Sequence, residues 1–254
     1  MTGISVLLRK ELLEQWRTMR LVIVGGVFLA FGILSPILAK YTPEIIGALV
    51  PAGTIPVPIP TPTIADAIGQ FVKNVGGTLT LVAILLAMGL VATEKERGTA
   101  AFVLTKPADR AAFIAAKLSA LAVTLGVSMG LAGAAAYGYT VWLFSAPPLA
   151  GFAAMCVLLW LGQLVIAAIT LLGSALVRSA APAAGFGFAA YIVLLILSAL
   201  PTIGPYTPAG LAGPATALAL GTDPGDVLGP LVVNVLLAVG ATVLAWLSFR
   251  RQEL

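Results

Sequence analysis

Glu94, Lys95, Glu96 and Arg97 stand in a row, followed by Gly98-Thr99 and then by Lys106, Asp109, Arg110 and Lys117. Charged groups of both signs at this density could hold a metal, relay protons or grip another protein, and the rest of the chain decides among these. It contains no histidine and one cysteine, Cys156. The first absence removes a Ser-His pair, an imidazole general base and any His-ligated zinc or copper site. A single thiol excludes a multi-thiolate metal site within one chain, so no metal is expected. No Gly-x-x-x-x-Gly-Lys-Ser/Thr phosphate loop is present, so the chain is not expected to hydrolyse ATP itself. Docking remains. Only 9% of residues are charged, yet five of the 14 Lys and Arg lie between residues 91 and 118. A chain this apolar concentrates charge where it meets water and a partner. The bland alternative is a solvated loop, but Ala101-Phe102-Val103-Leu104 would then be an exposed apolar centre.

The elements that must position this block can be read around it. Glu94 to Arg97 ends an apolar run, Gly98 permits a turn, and Thr99 can cap the segment after it. Pro107 opens a new helix with Asp109 in its first turn, and that helix continues through Lys117 into the next apolar run. A short element charged at both ends and apolar at its centre suits a groove on another protein.

The runs themselves are membrane spans. The chain is 60% hydrophobic with mean hydropathy +1.07, far above a soluble domain, and several runs reach the roughly 20 residues that cross a bilayer as helix. The sequence therefore predicts one all-α polytopic domain over 1–254, with spans at about 21–39, 75–93, 111–144, 151–177, 183–200 and 230–249. The run at 21–39 is too long for a signal peptide and lacks a small-x-small cleavage pattern before Lys40, so it is expected to be a retained span. The third is too long for one crossing, and its first turns through Lys117 are expected to protrude or snorkel. With both termini in the cytoplasm, 12 of the 14 Lys and Arg lie inside and only Lys40 and Lys73 outside, as the positive-inside rule requires. The same rule explains the net charge of +4 without nucleic acid as a partner.

Residues 3–20 read as an interfacial helix before the first span. At 100° per residue, Arg9, Lys10, Arg17 and Arg20 fall within an arc of about 100°. Ile4, Leu7, Leu8, Leu12, Trp16 and Met19 occupy most of the other side, as in a helix lying on a bilayer surface. A frayed basic tail is the alternative. Between the first two spans, the outer loop 40–74 holds the proline-rich stretch PAGTIPVPIPTPT, which favours extended chain. A short surface helix comes next, with Ile64, Ile68, Phe71 and Val72 on one face, Thr63 as cap and Asp66 in the first turn. Span two then begins at the flexible pair Gly76-Gly77. The other outer loop, within 201–229, is apolar but too short to cross, so it is read as a re-entrant segment or as an ordinary apolar loop.

No Asp or Glu falls near the centre of a span, which disfavours a proton-driven carrier. Gln163 and Asn234 do lie within spans, where such residues more often bond neighbouring helices than substrates. Energy is expected to enter from outside the chain.

At these residues the chain resembles the membrane subunits of bacterial ABC exporters of the type-2 permease superfamily. That pattern has an acidic residue, Gly-Thr, a Leu-rich turn, Pro-x-x-Arg and a later Lys. Here they are Glu94, Gly98-Thr99, Phe102-Val103-Leu104, Pro107-x-x-Arg110 and Lys117. The start, Arg9-Lys10-Glu11-Leu12 with Arg17, and the end, Phe249-Arg250-Arg251-Gln252-Glu253-Leu254, resemble the family's termini. Ala101 stands where an acidic residue is common, and Ala116 where glycine often precedes the lysine. The resemblance implies that 94–110 couples to a separate ATP-binding subunit through Glu94, Lys95, Glu96, Arg97, Gly98, Thr99, Phe102, Leu104, Lys106, Pro107 and Arg110. It implies ATP and Mg in that subunit and no cofactor in this chain. It further implies a second permease copy, as homodimer or heterodimer, and a cytoplasmic membrane location. Two other functions stay open: a membrane component serving the assembly or maturation of an extracytoplasmic partner, for which residues 51–62 would be either a spacer or a docking strip, and an ion-coupled carrier.

Overall fold

In a bilayer every backbone amide must find its partner within the protein, and a chain of long apolar runs meets that demand as helix. The computed structural model describes residues 2–49, 60–98 and 110–251, and among these it is helical with no strand. Thr99, Phe102, Leu104, Lys106 and Pro107 lie outside the described residues, as does most of the proline-rich stretch. Among the described residues, six helices are long and apolar enough to span a membrane.

The first helix, α1 (Thr2–Arg17), is separated from span one, α2 (Arg20–Leu49), by Thr18 and Met19. Met19 carries a φ of 59°, a left-handed conformation uncommon for a residue with a side chain, and this turns the chain sharply between the two. Span one extends to Leu49, ten residues past the expected end, with Pro36 and Pro43 inside it. Neighbouring polar groups are at hand to support such a helix. Ser35 donates to Phe31 O (2.5 Å) and accepts from Asn74 Nδ2 (2.9 Å).

Span two is built from pieces. Helix α3 (Ile64–Asn74), a π-helical turn (Val75–Leu79), α4 (Thr80–Met88) and α5 (Ala92–Glu96) succeed one another. The expected surface helix is thus the first part of the span. Its cap is the expected one, with the Thr63 amide donating to Asp66 Oδ2 at 2.7 Å, and Ile68, Phe71 and Val72 are buried. The glycine pair widens the helix rather than starting it, because side chains of spans four and five and of the following turn supply donors to the carbonyls of Val75 and Gly76. Gln163 Nε2 donates to Val75 O (2.6 Å), and Tyr191 Oη and Thr80 Oγ1 both donate to Gly76 O (2.9 Å).

Span three is α6 (Arg110–Leu143), span four α7 (Leu149–Leu176), span five α8 (Ala180–Ser198) and span six α10 (Leu228–Arg250). Between spans five and six lie two 3-10 turns (Gly204–Tyr206, Ala209–Leu211) and α9 (Ala212–Leu220). This apolar segment packs within the bundle. A Cβ on Gly151 of span four would collide with Leu218 O, and Asn234 Nδ2 of span six donates to Tyr206 O (3.1 Å) and Thr207 O (3.4 Å). Spans one and three meet as closely, since a Cβ on Gly32 would collide with the Ala132 backbone. Small residues at such crossings let backbones approach where no hydrophobic force between helices exists.

Candidate functional site

At the end of the bundle where α5 stops and α6 begins, four charged side chains meet. Lys117 Nζ of span three lies 3.0 Å from Glu11 Oε1 of α1 and 2.8 Å from Glu94 Oε1 of α5. Lys10 Nζ approaches the same two oxygens at 3.3 and 3.2 Å. Lys117 is 1% exposed and Glu11 3%, so the centre of the cluster is dry and Lys10 closes its rim. Two ammonium groups thus face the carboxylates of Glu11 and Glu94 and, at 3.8 Å from Lys10, the more exposed Glu14 as a third, and it is this pairing that lets charge survive burial. Burial pulls the Lys10 pKa down, but Glu11 and Glu94 outweigh it and hold the group above its ordinary value. The Lys117 ammonium also lies 4.8 Å from the centre of the Phe113 ring, a favourable cation–π placement.

The expectation that Lys117 protrudes or snorkels is therefore corrected. The helix does overrun one crossing, but α1 lies over its first turns and brings Glu11 as a counterion. The amphipathic reading of α1 changes with it. Ile4, Trp16 and Met19 are exposed, together with Arg9 and Arg17, while Glu11 and Gln15 are the buried positions. At 100° per residue both fall among Ile4, Leu7 and Leu8, and they are buried because span three offers partners. Thr124 Oγ1 donates to Gln15 Oε1. Arg20, grouped with the basic face, is half-buried at the start of α2.

Two further clasps tie the same end together. Lys95 Nζ donates to Ala175 O and, at 3.4 Å, to Val177 O, and it lies 5.7 Å from the centre of the Phe249 ring. A cation thus meets the carbonyl end of span four, where the helix dipole favours positive charge. Arg110 Nη1 donates to Phe249 O (3.3 Å) and Arg250 O (2.8 Å), which performs the same service for span six. Phe249 stacks on Phe113 with centroids 5.3 Å apart, and both rings are buried.

The break before α5 is held from span four. The amides of Val91 and Ala92 donate to Ser174 Oγ at 3.1 and 2.9 Å, which satisfies amides that a helix start leaves without intrahelical partners. Replacing Ser174 with alanine strands both donors in a buried place and is expected to cost about 2 kcal/mol. An equilibrium unfolding midpoint in detergent, compared with wild type, measures it. Glu96, the last residue of α5, is exposed, as are Arg97 and Gly98 beyond it. Gly98 has φ +69° and its amide donates to Lys95 O at 3.1 Å, so the chain leaves the helix through a turn that favours glycine.

The site thus brings together Glu94, Lys95, Lys10 and Arg110 of the expected residues, leaves Arg9, Trp16 and Arg17 on the outer side of α1, and adds Glu11, Lys117, Phe113, Phe249 and Ser174. Carboxylate oxygens of Glu11, Glu14 and Glu94 lie within 4.8 Å of one another. The Lys10 and Lys117 ammonium groups already occupy the room a metal ion would use. The arrangement locks α1 and four spans to one short exit.

The sequence model described as ABC-2 family transporter protein matches residues 6–254. The chain belongs to this family. Along its whole length it is also 28% identical to the uncharacterized transmembrane protein YxlG of Bacillus subtilis (strain 168), over an alignment of 261 residues that covers 99% of that protein. This ABC-2 protein is a multi-pass membrane subunit rather than an enzyme, and membership in the family implies an ATP-binding-cassette partner in general.

Proposed function

We propose that the chain is the permease subunit of an ATP-binding-cassette exporter, and that residues 94–110 receive the motion of a separate ATP-binding subunit. One observation carries this reading. The exit at Glu96-Arg97-Gly98 leaves a five-residue helix that is ion-paired to α1 and span three through Glu94, and bonded to span four through Lys95 and Ser174. A push on the exit therefore reaches several helices at once. The count of 12 of 14 Lys and Arg on this side supports a cytoplasmic placement for it and for both termini. Spans five and six are 11% and 22% buried over their most apolar stretches, which leaves wide faces for lipid or a second copy. The expected interfacial role of α1 is supported by Trp16 and Leu13 standing exposed beside Arg9 and Arg17.

The test is to purify the tagged chain from its own cells and measure ATPase activity in the recovered complex. Gly98→Pro forces φ from +69° to about −65°, and Arg97→Glu reverses an exposed charge without touching the clasps. Each is expected to lower recovered ATPase activity or transport at least tenfold. Unchanged recovery and transport in both variants would overturn the assignment. Arg110→Glu is a poorer probe, because that guanidinium holds the carbonyl end of span six.

A further inference from the structure

Helix α1 carries five charged residues, and three of them are engaged in the cluster: Lys10, Glu11 and Glu14. The other two, Arg9 and Arg17, are exposed and have no acidic partner among the described residues. At 100° per residue, Trp16, Arg9, Leu13, Val6 and Arg17 fall in that order within an arc of about 100°. All five are exposed. Glu11 and Gln15, the buried positions, lie nearly opposite. The outer face thus presents two unpaired cations and three large apolar side chains, with no acid among them.

That composition selects its partner. Val6 and Trp16 are 68% and 60% exposed, and exposed apolar side chains continue along the chain through Met19, Val22 and Ile23 into span one. The face therefore adjoins the surface that span one presents to lipid. An indole and aliphatic side chains belong at the boundary between headgroups and acyl chains, and arginine reaches past them to pair with phosphate oxygens.

We propose that the outer face of α1 binds anionic lipid headgroups, and that this contact sets how firmly the charge cluster holds the exit after α5. One orientation of the helix serves both contacts. With Arg9 and Arg17 on headgroups, Lys10 and Glu11 are turned toward Glu94 and Lys117. A rotated helix loses both together, so anionic lipid favours the locked state by its differential affinity for that orientation. The proposal rests on the cytoplasmic, interfacial placement of α1 and needs neither ATP nor a partner subunit.

The purified full chain is placed in nanodiscs of phosphatidylcholine alone, or of equal parts phosphatidylcholine and phosphatidylglycerol, and hydrogen exchange is followed by mass spectrometry. Exchange in α1 and α5 is expected to slow together in the anionic discs, by about tenfold for two cations at such a surface. High salt should remove the difference, as it does for exposed charges. Arg9→Gln combined with Arg17→Gln should abolish it while leaving exchange in neutral discs at the wild-type rate. Arg9→Lys combined with Arg17→Lys should keep it. If the glutamine variant exchanges faster than wild type in neutral discs, the lysine variant and the salt dependence decide. Equal exchange in the two discs, or a difference that persists in a well-folded glutamine variant, overturns the proposal. Protection relative to detergent that is equal in both discs removes the charge dependence and retains the interfacial reading; protection in neither removes both. Slowing of α1 without α5 overturns the link to the exit. Protection in native membranes that anionic discs fail to reproduce makes a cytoplasmic protein the occupant and overturns the lipid assignment.

Discussion

Lys117→Met is expected to destabilise the folded chain by about 3–5 kcal/mol. The substitution nearly preserves length and volume, so the loss is one of charge. In the native cluster Glu11 Oε1 and Glu94 Oε1 lie 3.0 and 2.8 Å from a single ammonium nitrogen. Remove it, and two carboxylates converge on one dry point, with only the rim lysine left to offset them. The expected consequence is release of α1 at Thr18-Met19, where the backbone already turns through a φ of 59°. Limited proteolysis should then cut near residue 18, and the unfolding midpoint should fall.

Two comparisons separate this from a general loss of fold. Lys10→Met removes a partner whose side chain is 41% exposed, and pairs of that kind contribute up to about 1 kcal/mol. The two lysines touch the same oxygens, so a large difference between them isolates burial as the cause. Adding Glu11→Gln to Lys117→Met removes one of the two stranded charges and should recover a good part of the loss. A double variant no more stable than Lys117→Met alone would show that the ammonium is not what neutralises Glu11.

Much of this architecture is legible in the sequence because the signals are local. Hydropathy gives six spans, Thr63 and Asp66 announce the start of α3, and the positions of Ile68, Phe71 and Val72 give its buried face. Where the reading departs from the structure, the deciding interaction is distant in the chain. The outer loop is expected from residue 40, yet the helix runs on to Leu49. Gly76-Gly77 reads as a break, yet Gln163 and Tyr191, 86 and 114 residues beyond Gly77, hold the widened turn together. Helical periodicity places Glu11 and Gln15 among apolar neighbours, which is itself a signal of buried polar groups. Naming Lys117 and Thr124 as their partners requires knowing that α1 folds back over span three. Glu94, Lys95 and Arg110 stand out by charge alone. Phe113, Phe249 and Ser174 do not, since an aromatic or a serine near the end of an apolar run has no local mark that tells a clasp from a lipid contact.

Phe249 is the residue of that group with the largest expected effect. Its ring stacks on Phe113 at 5.3 Å and 11°, lies beneath the Lys95 ammonium, and is fully buried. Phe249→Ala is expected to cost about 3–5 kcal/mol, as aromatic truncation in a packed core does. The functional consequence comes from the groups the ring holds apart. With the cavity open, Lys95 loses one of the surfaces that hold it over Ala175 O, and the last turn of span six no longer presents Phe249 O and Arg250 O firmly to Arg110. The two cationic clasps would loosen together while Glu94 and Lys117 keep theirs. Phe249→Leu fills most of the space without the ring, so it should restore stability to within about 1.5 kcal/mol but not the cation–π contact. Substrate transport per ATP hydrolysed is therefore the discriminating measurement. A Phe249→Leu chain of near-normal stability with a lowered ratio would mean that the aromatic face transmits motion between span two and span six. A normal ratio would confine Phe249 to packing.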